Sequence, residues 1–134
     1  MHTDQGRVKL ETDGLTESVI GCGFKVSNEL KTGFLEKVYE NALALELREA
    51  GHAVQKQVAV PVHYRGTVVG DYVADFMVDK QVLLELKAVG SLDPVHHAQC
   101  YNYLRATGLN VCLLMNFGRP KLEFQRILRR EASV

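Results

Sequence analysis

The sequence predicts an α/β domain built around a mixed sheet, and three observations carry this prediction. Helix-like and strand-like segments follow one another in the order helix, helix, three strands, helix, strand. The segment NVCLLMNF, residues 110–117, is almost entirely apolar, which is typical of a strand buried on both faces. A helix lies between this strand and the one before it, and a right-handed crossover of that kind makes the two strands parallel.

Periodicity and capping residues define three helices. Apolar residues recur at three- to four-residue spacing from Leu15 to about Leu30, which predicts the first helix. The second helix, Phe34 to Ala50, has a wide apolar face and is followed by Gly51, a residue that commonly ends a helix. Asp93 followed by proline is a strong start signal for the third helix, which should end at Gly108.

Apolar and β-branched runs separated by turn residues predict the strands. A glycine-containing turn at Arg65-Gly66 joins the first two strands in a hairpin, and Asp79-Lys80 marks the next turn. The last segment, Leu122 to Leu128, has a pattern that fits no single type of element. The predicted strands are Val54–Tyr64, Thr67–Val78, Gln81–Val89 and Asn110–Phe117.

Composition indicates one globular domain over residues 1–134, in which the polar segment 1–13 is expected to be loose. Of the 134 residues, 46% are hydrophobic and 24% are charged, as in ordinary globular proteins. The three cysteines are widely spaced and form no C-x-x-C pair, so we expect reduced thiols in a cytoplasmic protein. No apolar run approaches the ~20 residues of a membrane span, which predicts no membrane contact.

The charge distribution constrains the partners of this chain. Sixteen basic and sixteen acidic side chains cancel, so the surface as a whole should not hold nucleic acid by charge alone. Since 134 residues leave no room for a separate recognition domain, we expect a homo-oligomer or a protein partner to supply further surface. One basic segment is a candidate for phosphate contacts, and a solvated end of the last element explains it equally well: Arg119, Lys121, Arg126, Arg129 and Arg130.

The segment Tyr72–Val89 places three charged residues in an otherwise apolar hairpin. Glu85 and Lys87 are two residues apart, so on a strand they point to one face, and Asp75 lies across the hairpin. Two carboxylates and a lysine could hold Mg²⁺ or Mn²⁺ and orient an attacking water. A cross-strand salt bridge of Lys87 with either acid explains the same spacing equally well.

Two helical motifs accompany the hairpin. Gln99 and Tyr103 lie one turn apart on the third helix, where they could contact a phosphate or simply mark an amphipathic boundary. The pattern Gly33-x-x-Glu36-x-x-Tyr39 places a carboxylate in the first turn of the second helix, on the same face as Tyr39. Glu36 could equally well only complement the helix dipole.

Taken together, these segments resemble a known family. The motif at residues 33–39, the run YVADFMVDKQVLLELKAV and the run HHAQCYNYLRATGLNVCLLMNFG are similar to the small bacterial GxxExxY proteins of the PD-(D/E)XK nuclease superfamily. The resemblance extends from about Leu15 to Phe124 and implies a restriction-endonuclease-like αβββαβ core, preceded by an extra N-terminal helix. In these relatives a histidine often stands where this chain has Ser27, so no role of that histidine carries over.

The resemblance also implies roles for individual residues. Asp75, Glu85 and the helix-borne Glu36 would be metal ligands, and Lys87 would be the catalytic lysine. The remaining predicted contacts are with substrate: Gln99 and Tyr103, which match the Q-x-x-x-Y motif of RecB-like exonucleases, and Tyr39.

Two functions follow as hypotheses. The first is a nuclease that uses Mg²⁺ or Mn²⁺ to hydrolyse phosphodiester bonds in DNA, with RNA as the second choice of substrate. The other is a non-catalytic binding or assembly subunit that keeps the nuclease fold and works with a partner protein. Divalent-ion binding at Asp75 and Glu85 discriminates between them.

Overall fold

The computed structural model describes residues 12–129, and this part of the chain forms three helices and five strands. The helices and strands confirm the predicted order, and the last segment proves to be a fifth strand. The predicted loose segment 1–13 lies outside the described residues except for its end, where Asp13 already begins the first helix. The elements are α1 Asp13–Leu30, α2 Glu36–Glu49, β1 Val54–Tyr64, β2 Thr67–Val78, β3 Val82–Lys87, α3 Pro94–Thr107, β4 Val111–Asn116 and β5 Glu123–Leu128.

The five strands form one sheet in which neighbours in the sequence are also neighbours in space, β1-β2-β3-β4-β5. The first three strands and the last pair are antiparallel, whereas β3 and β4 run parallel. The mixed sheet and its single parallel pair are therefore as predicted from the helix between β3 and β4. Every residue of β4 is buried, in agreement with its apolar sequence.

Helices cover both faces of the sheet. On one face, α1 and α2 pack against strand residues such as Leu84 and Leu86. On the other face, α3 packs against a second set that includes Leu83 and Leu114. Because side chains alternate along a strand, Glu85 follows Leu83 to the side of α3. The charged residue therefore lies on the face of the sheet that packs against α3.

The ends of α3 are fixed by the residues that predicted them. The Asp93 carboxylate accepts the backbone N–H of Val95 at 2.9 Å, and the His96 ring accepts the N–H of Asp93 at 3.0 Å. This reciprocal cap satisfies donors that a helix N-terminus otherwise leaves free. At the other end Gly108 adopts a left-handed conformation with φ 78°. The placement of α3 across the sheet is therefore encoded locally.

The hairpin of β1 and β2 is longer than the strand next to it. Pairing between β2 and β3 covers only the three residues Phe76, Met77 and Val78 of β2. The rest of the hairpin extends past β3 as a two-stranded segment, residues 58–74, which we call the β1–β2 ribbon. The predicted Arg65-Gly66 turn closes it, with both residues at positive φ. The ribbon faces α3.

The basic C-terminal segment is engaged within the protein. Arg126 pairs with the buried Asp13 at the start of α1. Arg129 donates to the carbonyl of Leu109 at 3.2 Å, and Arg119 donates to the carbonyl of Gly90 at 3.2 Å. Three of the five basic residues thus hold neighbouring elements together, and Arg130 lies outside the described residues. The segment is therefore not simply a solvated end of the last element, and its contact with phosphate stays a prediction.

Two further expectations bear on the class of protein. The three cysteines, Cys22, Cys100 and Cys112, are buried free thiols. No helix in residues 12–129 combines the length and the apolar character needed to cross a membrane. The cytoplasmic location stays a prediction.

Candidate active site

Strands β2 and β3 separate just beyond the pair Phe76–Leu84, and two carboxylates occupy the gap. The backbone N–H of Asp75 donates to Oε1 of Glu85 at 3.3 Å. The N–H of Leu86 donates to Oδ2 of Asp75 at 2.8 Å. Each side chain therefore replaces a carbonyl that a regular strand pair would have supplied. The gap thus holds two acids in an otherwise apolar hairpin.

Burial makes two adjacent negative charges costly at this position. Glu85 is only 5% exposed. Burial and then the neighbouring Asp75 carboxylate raise the pKa of Glu85 to about 8, against the opposing N–H of Asp75 and the Lys87 ammonium. Burial also raises the pKa of Asp75, although the N–H of Leu86 opposes it. Near neutral pH the pair therefore retains a proton in the absence of a cation.

Lys87 lies beside the pair without forming a salt bridge to it. Its charge lowers the pKa of both Asp75 and Glu85, which places the ammonium within electrostatic range of both carboxylates. In the described part of the chain, however, no ion pair involves this lysine. The cross-strand salt bridge that the spacing also allowed is therefore not formed. The half-buried ammonium is available for another partner.

Glu36 is exposed on the first turn of α2, close to the pair but separate from it. Its charge raises the pKa of both Asp75 and Glu85. Across residues 12–129, no three Asp, Glu, His or Cys side chains are grouped closely enough to hold a metal ion. The structure thus brings two of the predicted ligands together and leaves the third nearby.

A second acid on α2, Glu40, was not predicted, and its charge acts on Asp75. Glu40 is buried, and it raises the pKa of Asp75 more than Glu36 does. Its carboxylate accepts from the amide of Gln57 at 3.0 Å and has the ammonium of Lys37 at 3.6 Å. The i,i+4 spacing of the two glutamates was the available signal, because residues four apart share a helix face.

Gln57, which binds Glu40, has an unusual backbone conformation. Its φ is 55°, a left-handed backbone value that residues other than glycine adopt rarely. Gln57 lies between the paired residues Lys56 and Val58 of β1, across from Asp75 on β2. Backbone strain of this kind costs roughly 1–3 kcal/mol and tends to occur at functional sites. The residue that binds Glu40 therefore departs from regular strand geometry.

Tyr39 shapes the loop in front of Glu36. Its hydroxyl donates to the carbonyl of Lys31 at 2.6 Å and accepts the N–H of Phe34 at 3.2 Å. Its ring is buried and stacks on Phe117, with centroids 5.0 Å apart. These contacts fix the turn from which α2 starts and so position Glu36. Direct contact of Tyr39 with a substrate stays a prediction.

The two α3 residues differ in accessibility. The Tyr103 ring is buried, and its hydroxyl donates to the carbonyl of Val73 at 3.2 Å, so a bond to phosphate would require that hydroxyl to change partner. Burial, followed by the charge of Glu85, raises the pKa of Tyr103, which keeps the phenol neutral and places it near the carboxylates. Gln99, one turn earlier, is half-buried and lines an open groove. Both predicted roles in substrate binding remain predictions.

Asn116, which sequence reasoning also missed, holds the chain that leaves β3. Its fully buried amide accepts the N–H groups of Val89 and Gly118, each at 3.0 Å, and donates to the carbonyl of Val89 at 3.0 Å. Asn116 is the register partner of Lys87 on β3. The contact therefore fixes the backbone directly after the lysine.

We expect Gly118→Ala to destabilise the protein by about 1–3 kcal/mol, because a methyl group at Gly118 would lie 2.2 Å from the carbonyl oxygen of Val89. The obstacle is backbone, so no side-chain rotation relieves it. Gly21→Ala on α1 is the matched control: nothing lies within 4 Å of its added methyl, and the change should be neutral or stabilising. Urea denaturation of both variants measures the difference, and equal stabilities would contradict the packing described for this segment.

The donor set at the strand gap fits a hard divalent ion. Carboxylate oxygens are the preferred ligands of Mg²⁺ and Mn²⁺. A divalent cation would favour the ionised form of both buried carboxylates, and its binding would release the proton that the pair retains. Asp75 and Glu85 therefore meet the chemical requirement, with Glu36 as the nearby third acid.

Comparison with known proteins identifies the family of this chain. Residues 13–127 match the family profile of the PD-(D/E)XK nuclease superfamily. No curated protein sequence matches the chain. The narrower resemblance to GxxExxY proteins stays a prediction.

Two solved structures share the fold. One is an alkaline exonuclease, LHK-Exo, from Laribacter hongkongensis: TM-score 0.55, 15% identity, with 94% of this chain and 74% of that chain covered. The other is LHK-Exo in complex with dAMP: TM-score 0.50, 14% identity, with 87% of this chain and 84% of that chain covered. Because the identity is low, the similarity shows only the fold. That fold is the restriction-endonuclease-like architecture that the sequence predicted.

Proposed function

The chain belongs to the PD-(D/E)XK nuclease superfamily, and we propose that it is a metal-dependent nuclease that hydrolyses phosphodiester bonds in DNA. One observation supports this function most strongly. Asp75 and Glu85 fill the gap between β2 and β3, next to a lysine that no acid neutralises in the described residues. A purely structural cluster would be expected to pair its lysine with its carboxylates.

Asp75 and Glu85 would hold the ion, with Glu36 as the third ligand. Bound Mg²⁺ or Mn²⁺ would neutralise phosphate charge and favour ionisation of water near neutral pH. The residues around the site keep the two carboxylates in place: the N–H groups of Asp75 and Leu86 orient them, and Glu40 adds negative charge on the side of α2. The acids thus define where a phosphate can approach.

Lys87 would act on the phosphate and the attacking water. Its ammonium can orient the water by hydrogen bonding and offset charge that develops on the phosphate oxygens. The backbone that follows it is held by Asn116, so its position is well determined. Gln99 and Tyr103 on α3 would steady the phosphate, and the bond from Tyr103 to the carbonyl of Val73 would hold its ring in place.

DNA is the proposed substrate, with RNA as the alternative. The exonuclease LHK-Exo has the same fold, and its complex contains the deoxynucleotide dAMP. The neutral overall charge of this chain means that its affinity must come from a local surface, a partner or a second copy.

The test is hydrolysis by the purified full chain. End-labelled single-stranded DNA, linear duplex, closed circular DNA and RNA are each incubated with Mg²⁺, with Mn²⁺ or with EDTA. We expect DNA to be degraded only with a divalent ion. Failure to hydrolyse any of the four substrates with either ion would contradict the proposal, and product lengths over time distinguish exonuclease from endonuclease activity.

A further inference from the structure

An open groove runs between α3 and the β1–β2 ribbon, on the face of the sheet that carries Glu85. Its volume is about 900 Å³, which is at the upper end of the range of ligand-binding pockets. Along α3 it extends from Val95 to Ala106, roughly 16 Å at the rise of an α-helix. The lining residues include Val69, Tyr72, Val95, Gln99, Asn102 and Arg105.

The lining combines flat apolar surface with a few polar groups and no negative charge. The Tyr72 side chain is 51% exposed, although such a ring is normally covered when it lies between two packed elements. Arg105 and His63 are the lining residues that can carry positive charge, and no Asp or Glu lines the groove. The surface therefore suits an anionic ligand that also has flat apolar faces.

Tyr103 lies between the groove and the carboxylate site. Tyr103 forms part of its wall and lies 6.2 Å from Tyr72, measured between ring centroids. The same Tyr103 is close enough to Glu85 and Asp75 for their charges to raise its pKa. A ligand lying along α3 would thus lie next to the residue that borders the proposed site of hydrolysis.

We infer that this groove binds an unpaired nucleic-acid strand, with a base stacked on Tyr72 and the backbone near Arg105. The inference rests on the proposed function, since it names the form of the substrate for that site. Stacking of bases on exposed aromatic rings beside positive charge is the general way in which single strands are bound. Gln99 and Asn102 supply amides that hydrogen-bond to base edges or phosphates.

A duplex fits this surface less well for two reasons. Its base faces are stacked inside the helix, so the Tyr72 ring would have no partner. Its accessible surface is dominated by phosphates, and tight binding to them requires many Lys and Arg contacts, whereas the groove offers Arg105 and His63. At roughly 3.4 Å per stacked nucleotide the groove accommodates a short run of bases rather than one nucleotide.

The test is binding of a fluorescein-labelled oligonucleotide, measured by fluorescence anisotropy on the full chain in EDTA. The same sequence is compared as a single strand and as a blunt duplex. Tyr72→Ala should weaken single-strand binding roughly tenfold or more, and Tyr72→Phe should retain it. Tyr64→Ala is the matched control, because Tyr64 is similarly exposed (61%) but does not line the groove. Arg105→Ala should reduce the slope of the logarithm of the binding constant against the logarithm of the salt concentration by about one, as expected for the loss of one phosphate contact.

Tighter binding of the duplex, absence of single-strand binding, or equal effects of Tyr72→Ala and Tyr64→Ala would overturn the inference. Because the assay contains no divalent ion, its result is independent of hydrolysis. If hydrolysis depends on a divalent ion but Tyr72→Ala does not affect binding, the proposed function is supported and binding in the groove is contradicted. If binding depends on Tyr72 but no hydrolysis occurs, binding in the groove is supported and the proposed function is contradicted.

Discussion

Replacing Lys87 with alanine should lower the rate of DNA hydrolysis by roughly 10²–10⁴-fold, the usual range for loss of a group that assists proton transfer or charge stabilisation. The same variant should still bind Mn²⁺, because the carboxylates of Asp75 and Glu85 are retained. Affinity should even rise slightly, since the nearby ammonium that opposes the cation is gone. Initial rates at saturating Mn²⁺, together with calorimetric titration, measure both effects.

Lys25→Ala is the matched control for this experiment. Lys25 is an exposed residue of α1, so the substitution removes the same charge and side chain away from the site. Its hydrolysis rate should equal that of the unmodified protein. Undiminished hydrolysis in Lys87→Ala would show that the lysine has no part in the reaction, and that the activity comes from elsewhere or from a contaminant.

The second large effect concerns stability without metal. Glu85→Gln should increase the free energy of unfolding of the metal-free protein near pH 8, on the order of 2–4 kcal/mol. Glutamine keeps the Oε1 that accepts the N–H of Asp75, and it removes a buried charge beside another carboxylate. A Glu85 carboxylate that served only to stabilise the fold would not lower the free energy of unfolding in this way.

The pH dependence of this effect has a definite sign. The pKa of Glu85 is raised from its ordinary 4.5 to about 8 in the folded protein. Between these values the folded state holds a proton that the unfolded state has lost, so stability decreases as the pH rises through this range. The advantage of Glu85→Gln should therefore grow from pH 4.5 to 8 and then level off.

Urea denaturation in EDTA across this pH range measures the stability difference. Glu49→Gln, on the exposed end of α2, serves as the control and should show no such trend. A Glu85→Gln variant that is less stable than the unmodified protein near pH 8 would mean that the carboxylate is favourably held without metal. In that case the cluster would be a structural one.

Periodicity and capping predicted the order of the first seven elements, and the helix between β3 and β4 predicted their parallel pairing. The alternation of charged and apolar residues around Glu85 predicted that this carboxylate faces one side of β3 while Leu84 and Leu86 pack on the other. Asp93 predicted the start of α3 because its cap involves neighbours in the sequence. The one uncertain segment, Leu122–Leu128, became a strand because β4 offered a free edge, a property of the assembled sheet.

The residues that escaped prediction all act through contacts distant in sequence. Glu40 is important because α2 brings it near Asp75 of β2 and Gln57 of β1. Asn116 is important because β4 runs parallel to β3. Gln57 is recognisable only by its backbone conformation opposite Asp75. The spacing along α2 places Glu40 on the same helix face as Glu36, but it does not show which strand residues that face approaches. Conversely, the motif that suggested a salt bridge for Lys87 could not indicate that the ammonium stays unpaired.

The central claim is that Asp75 and Glu85 form a divalent metal site, and calorimetric titration with Mn²⁺ tests it most directly. The unmodified full chain should bind Mn²⁺ with measurable heat and release protons as it does so. Asp75→Asn, which keeps the shape of the side chain and removes its charge, should bind at least about tenfold more weakly. Absence of binding by the unmodified protein, or equal binding by the variant, would contradict the claim and favour a non-catalytic subunit that retains the nuclease fold.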